Sequence, residues 1–353
     1  MEWEDDMEKL KIAAIGDQFI TSAVFETAVR DAIGAECEVV TRDLQWPEVP
    51  FFAHDGPAGT EIKEYSGNPK DLEAMLAEAE VLVTHLAPVT AELLEKAPRL
   101  KFIGVSRGGP TNINMEAART RNVTVCNVPG RNASAVAEFT VGAILANVRR
   151  ITLGHAGLSQ GIWRGDLYRY DRTGDELSDL TVGLLGYSHI GQRVVRLLKP
   201  FGCRILICDP YAKLTVQDAI DGIEQVEIDD LIAQSDILSL HARVTPETMG
   251  IISEERIAKM KRGAVLVNSA RGELVDQPAL CEALLSGHLG GAALDTFEVE
   301  PPKKDDELLR LPNVTLTPHI AGASRRVATF AAEQIAEDLA RFLKGEKLRN
   351  PCN

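Results

Sequence analysis

Two series of short apolar runs, each run separated from the next by a stretch with helical spacing, constrain the fold of this chain more than any other feature. The first series predicts strands at residues 11–15, 37–41, 81–84, 102–105 and 123–126, with helical stretches at 69–79 and 91–97. Asn68 and Thr90 stand as caps, and Pro69 as a first-turn residue. The second series predicts strands at 182–185, 204–208, 237–240, 264–268, 291–294 and 314–316. Strands linked by crossover helices run parallel and are covered on both faces, which is why their runs are apolar rather than alternating. The expectation is an α/β chain with two Rossmann-like, doubly wound parallel sheets, and 353 residues suit two domains at roughly 100–200 residues each.

Composition narrows the function classes. The chain is 45% hydrophobic and 25% charged, as ordinary globular proteins are. No apolar run reaches the roughly 18 residues of a membrane span. A net charge of −14 argues against a nucleic-acid or anionic membrane partner, while leaving room for a local anion pocket, with Arg107 and Arg271 as candidates. The acidic start Met1-Glu-Trp-Glu-Asp-Asp-Met-Glu lacks the basic character of a targeting peptide, so a cytoplasmic location is expected. The six cysteines form no C-x-x-C and read as reduced core thiols, with no metal site.

Between the two series, residues 133–151 are apolar on nearly all sides and predict one buried helix at the domain junction. Residues 159–180, with Trp163, Tyr168 and Tyr170, read as an ordered connector or a subunit contact. Residues 324–343 predict an amphipathic helix stopped at Lys344-Gly345.

Leu180 to Val195 runs strand, tight turn, helix, and carries Gly186-Tyr-Ser-His-Ile-Gly191. Gly186 permits the turn and Gly191 lets helix and strand approach, while the helix N-terminus faces a pyrophosphate. Gly186, Ser188, His189, Ile190 and Gly191 are therefore cofactor-binding candidates, with Ser188 where glycine is usual. Asp209 ends the next strand, where a carboxylate accepts from ribose hydroxyls and repels a 2′-phosphate, so NAD is expected rather than NADP. A plain Asp-Pro turn is the other reading of Asp209.

Three further residues follow strand ends: Arg271, Glu300 and His319. A guanidinium clamps a carboxylate and polarises a carbonyl, a histidine exchanges a proton near neutral pH, and a carboxylate orients that imidazole. Together they suit hydride transfer between a 2-hydroxy acid and a 2-oxo acid. Singly, each also fits a turn residue, a solvated acid or an edge histidine.

These residues lie in motifs resembling the D-isomer-specific 2-hydroxyacid dehydrogenases, which include phosphoglycerate dehydrogenase: the fingerprint, Asn268-Ser-Ala-Arg-Gly-Glu-Leu-Val-Asp276, Ala293-Leu-Asp-Thr-Phe-Glu-Val-Glu-Pro301 and Pro318-His-Ile-Ala-Gly322. The resemblance covers roughly residues 70–345. It implies that Arg271, Glu300 and His319 are catalytic and that Asp295 holds the nicotinamide carboxamide. His241, Ala242, Ala270 and Gly322 would line the cofactor pocket. It further implies an NAD domain at 127–319 inserted into a flavodoxin-like substrate domain, 1–126 completed by 320–353, with the active site between them and a homodimer or dimer of dimers as the assembly. Leu86, Ala87, Arg107, Gly108 and Gly109 would form the substrate loops. His85-Leu86 replaces the Arg-Ser often found in the first loop, and the second is one residue shorter than in phosphoglycerate dehydrogenases, which points to another hydroxy acid, such as a sugar-derived one. An NAD(H)-sensing corepressor-like binding protein is the second reading of the same scaffold.

Overall fold

The computed structural model describes residues 9–35, 37–46 and 56–353; the acidic run 1–8 lies outside them. The chain divides into two compact units, one of the residues up to Arg131 with Ser324–Asn353, the other of Asn132–Ala323.

In the first unit, strands β1 (Leu10–Gly16), β2 (Cys37–Asp43), β3 (Val81–Thr84), β4 (Phe102–Val105) and β5 (Thr124–Cys126) form a parallel sheet in the order β2-β1-β3-β4-β5. This is the flavodoxin-like order, whose direction of winding reverses between β1 and β3. Every residue of β3 and β4 is buried, as their unbroken apolar runs require. Phe25 of helix Ser22–Ile33 and Ile335 of helix Arg325–Leu343 join the core on one face, and Leu76, Leu93 and Leu94 the core on the other. The expected caps are in place, with Asn68 accepting from the Lys70 amide and Thr90 from Leu93; Ser324, not expected as one, caps the last helix by accepting from Val327.

In the second unit, β6 (Thr181–Leu185), β7 (Arg204–Cys208), β8 (Glu224–Gln225), β9 (Ile237–Leu240), β10 (Val265–Asn268), β11 (Gly291–Leu294) and β12 (Val314–Leu316) pair in parallel in the order β12-β11-β10-β9-β6-β7-β8. The seventh strand, β8, was not expected. It is an exposed edge of two residues, so no apolar run announces it.

One expectation is corrected. The stretch 133–151 is not a single helix: Ala133–Val148 ends, Arg150 turns at φ +55, and a second helix, Ile151–Ser159, follows with no buried residue. Arg149 and Arg150 interrupt the apolar pattern where the chain turns outward. The first helix is buried along most of its surface, with Ser134, Glu138 and Gly142 exposed along one line. The segment 159–180 is ordered by short 3₁₀ turns and by Arg164–Asp166 and Arg169–Asp171 pairs, and it leaves Trp163, Tyr168 and Tyr170 83%, 95% and 99% exposed.

All six cysteines are free, and burial pushes the Cys126 thiol up to about 12. Among the described residues no helix is long and apolar enough to cross a membrane.

Close packing gives a direct test. A Cβ on Gly104 of β4 would lie 2.2 Å from Ile335 Cγ2. Gly104→Ala is expected to destabilise the chain by roughly 1–3 kcal/mol, read as a lower urea midpoint at unchanged slope.

Candidate active site

The turn after β6 carries the fingerprint. Gly186 has φ +103, and a Cβ there would lie 2.7 Å from the His241 carbonyl carbon. A Cβ on Gly191 would meet the Gly186 oxygen at 2.3 Å, so helix His189–Leu198 can approach the strand only because both residues lack side chains. Ser188 occupies the cap position in extended conformation, yet its hydroxyl makes no capping bond. The amides of Ser188, His189, Ile190 and Gly191 thus have no capping side chain, as the first turn of a helix open to an anion requires.

Asp209, just beyond β7, accepts the Tyr187 amide on one oxygen at 2.8 Å and the Tyr211 amide on the other at 2.9 Å. It thus braces the fingerprint turn as well as its own. Sequence reasoning missed Tyr187, whose hydroxyl donates to Asp218 at 2.8 Å and whose pKa is raised, by burial first and then by that carboxylate. His241, following β9, lies 3.0 Å from the Ser239 hydroxyl through Nε2; its Nδ1 is shielded and has no partner. Burial lowers this imidazole to about 4, so it is neutral. Ala242 follows it, and the Ala270 amide donates to Asn268 Oδ1 at 3.1 Å. Gly322 packs against the Asn132 side chain, whose Nδ2 would lie 2.6 Å from a Cβ there and would have to move aside for one. A glycine-lined turn, an open helix terminus and an orphaned imidazole nitrogen fit a dinucleotide.

The residues after β10, β11 and β12 meet on the same sheet. Asp295 follows β11 and is 1% exposed. Its Oδ1 accepts the Thr317 hydroxyl at 2.6 Å and the Ile320 amide at 2.8 Å, and its Oδ2 accepts the Ala321 amide at 2.8 Å. Its carbonyl oxygen accepts the His319 amide at 2.9 Å. The segment carrying His319 is thus pinned to Asp295 on both sides of the histidine, which sits at φ +54. One lone pair of Oδ2 remains for a further donor.

His319 Nδ1 lies 2.8 Å from Glu300 Oε2, and Glu300 Oε1 accepts the Phe297 amide at 3.1 Å. The Glu300 hydrogen bond raises the His319 pKa, against burial and Arg271 and with the charges of Glu300 and Asp295. For Glu300, burial pulls upward, but His319, the Phe297 amide and Arg271 outweigh it and the pKa falls. Arg271 follows β10 with an exposed side chain; its Nη1 donates to the Ala270 oxygen, and its own carbonyl accepts from Asn268, both at 2.7 Å. Gly272 lets this loop press against the next, because a Cβ there would lie 1.9 Å from the Phe297 carbonyl carbon. Arg271, Glu300 and His319 therefore form one electrostatic cluster.

In the first unit, Leu86 and Ala87 follow β3 and are fully buried. The Ala87 amide donates to Thr84 Oγ1 at 3.1 Å, and the Leu86 oxygen accepts from the Ser66 amide at 3.0 Å. After β4, the Gly108 oxygen accepts from Asn127 at 2.9 Å, while the Gly108 and Gly109 amides donate to nothing among the described residues. Arg107 donates to the Glu64 oxygen at 2.8 Å and pairs with the Glu64 carboxylate. Asp17 and Arg131 were not singled out from the sequence, and His85 only as a replacement in the first loop; Asp17 and His85, which pair at 2.7 Å, each follow a strand of this sheet, and that position was the available signal.

Residues 141–321 match the family model described as D-isomer specific 2-hydroxyacid dehydrogenase, NAD binding domain. The chain is 40% identical over 296 residues to a D-3-phosphoglycerate dehydrogenase of Methanocaldococcus jannaschii, covering 83% of this chain and 55% of that one. Thus it spans about half the length of that relative. It is 38% identical over 284 residues to a glyoxylate reductase of Korarchaeum cryptofilum, covering 80% and 83% of the two chains. Among solved structures, a D-2-hydroxyisocaproate dehydrogenase superposes with a TM-score of 0.80 at 29% identity, over 97% and 99% of the two chains.

The His319–Glu300 bond makes a prediction independent of turnover. In Glu300→Gln the His319 titration midpoint, followed by imidazole ¹H and ¹⁵N shifts against pH, should fall; an unmoved midpoint would mean that the bond contributes nothing in solution.

Proposed function

We propose, from the premise that the chain belongs to the D-isomer specific 2-hydroxyacid dehydrogenase family, that it interconverts a 2-hydroxy acid and the corresponding 2-oxo acid with NAD as co-substrate. The observation that carries this reading is the 2.8 Å contact between His319 Nδ1 and Glu300, within the field of Arg271. The Nδ1–H donates to the carboxylate, which leaves Nε2 as the atom that gives or takes the substrate proton. Glu300 favours the imidazolium needed in reduction and holds the ring in one tautomer. Arg271 binds the substrate carboxylate and polarises the carbonyl.

NAD, when bound, supplies or accepts the hydride. The amides from Ser188 to Gly191 hold its pyrophosphate, and Gly186 permits their turn. Asp209 accepts from the ribose, Asp295 uses its remaining lone pair for the carboxamide, and His241, Ala242, Ala270 and Gly322 line the pocket. In the first unit the residues that the resemblance assigns to substrate are Leu86, Ala87, Arg107, Gly108 and Gly109, of which the Gly108 and Gly109 amides have no acceptor among the described residues. The relatives described above are named as dehydrogenases or a reductase, so nothing there favours the corepressor-like reading. A cytoplasmic location is part of the proposal, in keeping with six unpaired thiols.

A homodimer is also part of it. Ile151, Leu158, Ile162, Trp163, Tyr168 and Tyr170 are all more than half exposed within one short, ordered stretch, a large apolar area to leave in water. A second copy of this chain covers it. Trp163→Asp with Tyr170→Asp should shift the sedimentation coefficient to that of a monomer; an unshifted dimer would place the contact elsewhere.

An NADH-oxidation screen across 2-oxo acids tests the activity. His319→Ala should lose about 10²–10⁴-fold in kcat. Because the His319 pKa is raised in the folded chain, oxo-acid reduction should stay high past the ordinary imidazole value of about 6.5 and fall at higher pH, while hydroxy-acid oxidation rises over the same interval. Pre-steady-state rates against pH check the sign.

A further inference from the structure

Tyr187 stands between the two glycines of the fingerprint, outside the catalytic and binding sets, and ties that turn to the chain beyond β7. Its side chain is 5% exposed and belongs to the core that contains Val194, Leu198, Ile207 and Ile223. Its amide donates to Asp209 Oδ2 and its hydroxyl to Asp218 Oδ1, both at 2.8 Å. One residue thereby holds two carboxylates of the same segment.

That segment has little else to fix it. From Asp209 to Gly222 no residue is buried, and Tyr211, Val216 and Ile220 are largely exposed. Ala212 and Leu214 reach the core, but both are only partly buried. Helix Val216–Ile220 buries no residue, and so short a helix needs tertiary contacts to persist. At its far end the segment is tied by the Gln225 side chain, which donates to the Asp209 oxygen at 2.9 Å, and by the Ile223 amide, which donates to the Asp218 oxygen at 3.0 Å. Lys199 pairs with Asp221, but through an exposed ammonium, where an ion pair contributes little.

The Tyr187–Asp218 bond is of a stronger kind. Burial and then Asp218 raise the tyrosine pKa, so the hydroxyl stays a donor. Burial also pushes Asp218 up, but the Thr215 amide and hydroxyl, Tyr187 and the charge of Lys199 outweigh it and the pKa falls, so the acceptor is ionised at neutral pH. Its other oxygen accepts the Thr215 amide and hydroxyl at 2.8 Å each, closing the capping box of the helix. A hydrogen bond onto a carboxylate is roughly twice as strong as one between neutral groups.

Asp209 depends on this clamp. Each of its oxygens takes one amide, from Tyr187 or from Tyr211, and each keeps a lone pair whose direction those two amides set. Tyr211 travels with the segment that Asp218 anchors.

We propose that Tyr187 is a positioning residue for the adenosine end of the dinucleotide: with its hydroxyl on Asp218 and its amide on Asp209, it aims the carboxylate that meets the ribose hydroxyls. The inference rests on the reading of Asp209 as the ribose acceptor. Loss of the hydroxyl frees the middle of the segment, and the Tyr211 amide then no longer holds Asp209 in one direction.

Calorimetric dissociation constants of NADH and of its analogue lacking the adenosine 2′-hydroxyl, taken without substrate, express the ribose contact as a ratio. The unmodified protein should bind NADH about 10- to 100-fold more tightly than the analogue. Tyr187→Phe keeps the ring in the core and should lower that ratio about 5-fold or more. Asp218→Ala should lower it as far and the double variant no further, while Asp218→Asn, which retains an acceptor for the hydroxyl, should keep most of it. Both constants rising equally in Tyr187→Phe is the mark of a merely structural role and overturns the proposal, as do losses that add in the double variant. Asp209→Ala separates the two claims. A ratio that it abolishes and Tyr187→Phe leaves intact overturns the positioning role alone; a ratio absent from the unmodified protein, or surviving Asp209→Ala, overturns the placement of the ribose and the proposal with it.

Discussion

The buried carboxylate of Asp295 is the interaction on which the candidate site depends. A charge that is 1% exposed is tolerable only when its oxygens are met by donors, and three donors come from the segment after β12. That demand holds His319 in a left-handed backbone conformation that a non-glycine residue adopts at some cost. The imidazole then has a fixed origin and a fixed partner, since Glu300 is itself held through the Phe297 amide. Neither side chain has to be gathered from a flexible loop, and that pre-organisation is what a proton-transferring pair requires.

The two units solve the same electrostatic problem in opposite ways. In the second, an exposed histidine shares a bond with a carboxylate and gains proton affinity. In the first, a histidine in the same kind of bond, 2.7 Å from Asp17, is driven to the neutral form by burial. Solvent access separates the two outcomes. A half-exposed imidazolium keeps part of its hydration, whereas a sealed one loses it and the carboxylate does not repay the loss. One pair is fit to exchange protons, the other to act as a neutral acceptor for Arg131.

Much of this was legible in residue order. Strands buried on both faces write themselves as largely apolar runs, so β3, β4, β9 and β11 stand where the runs predict them; β7 and β12 do so too, although Arg204 is exposed and Thr315 and Leu316 are only partly buried. The exposed two-residue edge β8 has no such signal. The turn at Arg150 was hidden for a different reason: the apolar content of 133–151 describes what is buried, not where the axis of the helix bends. In the site, Gly186 and Gly191 announce themselves because close backbone approach excludes every other residue. Arg107 reads as a free cation in sequence and is engaged by Glu64 in space.

Sequence alone determined the parallel α/β architecture, the dinucleotide turn and the residue types that follow each strand, because burial and backbone geometry are local demands that only certain residues meet. Tertiary structure decided which of those residues share a charge and which stay ionised. Asp17 meets His85, and Asp295 meets the segment around His319, across 68 and about 22–26 positions of chain. The ionisation of such groups follows from distance and solvent exclusion, and neither quantity exists until the sheet has brought the strand ends together.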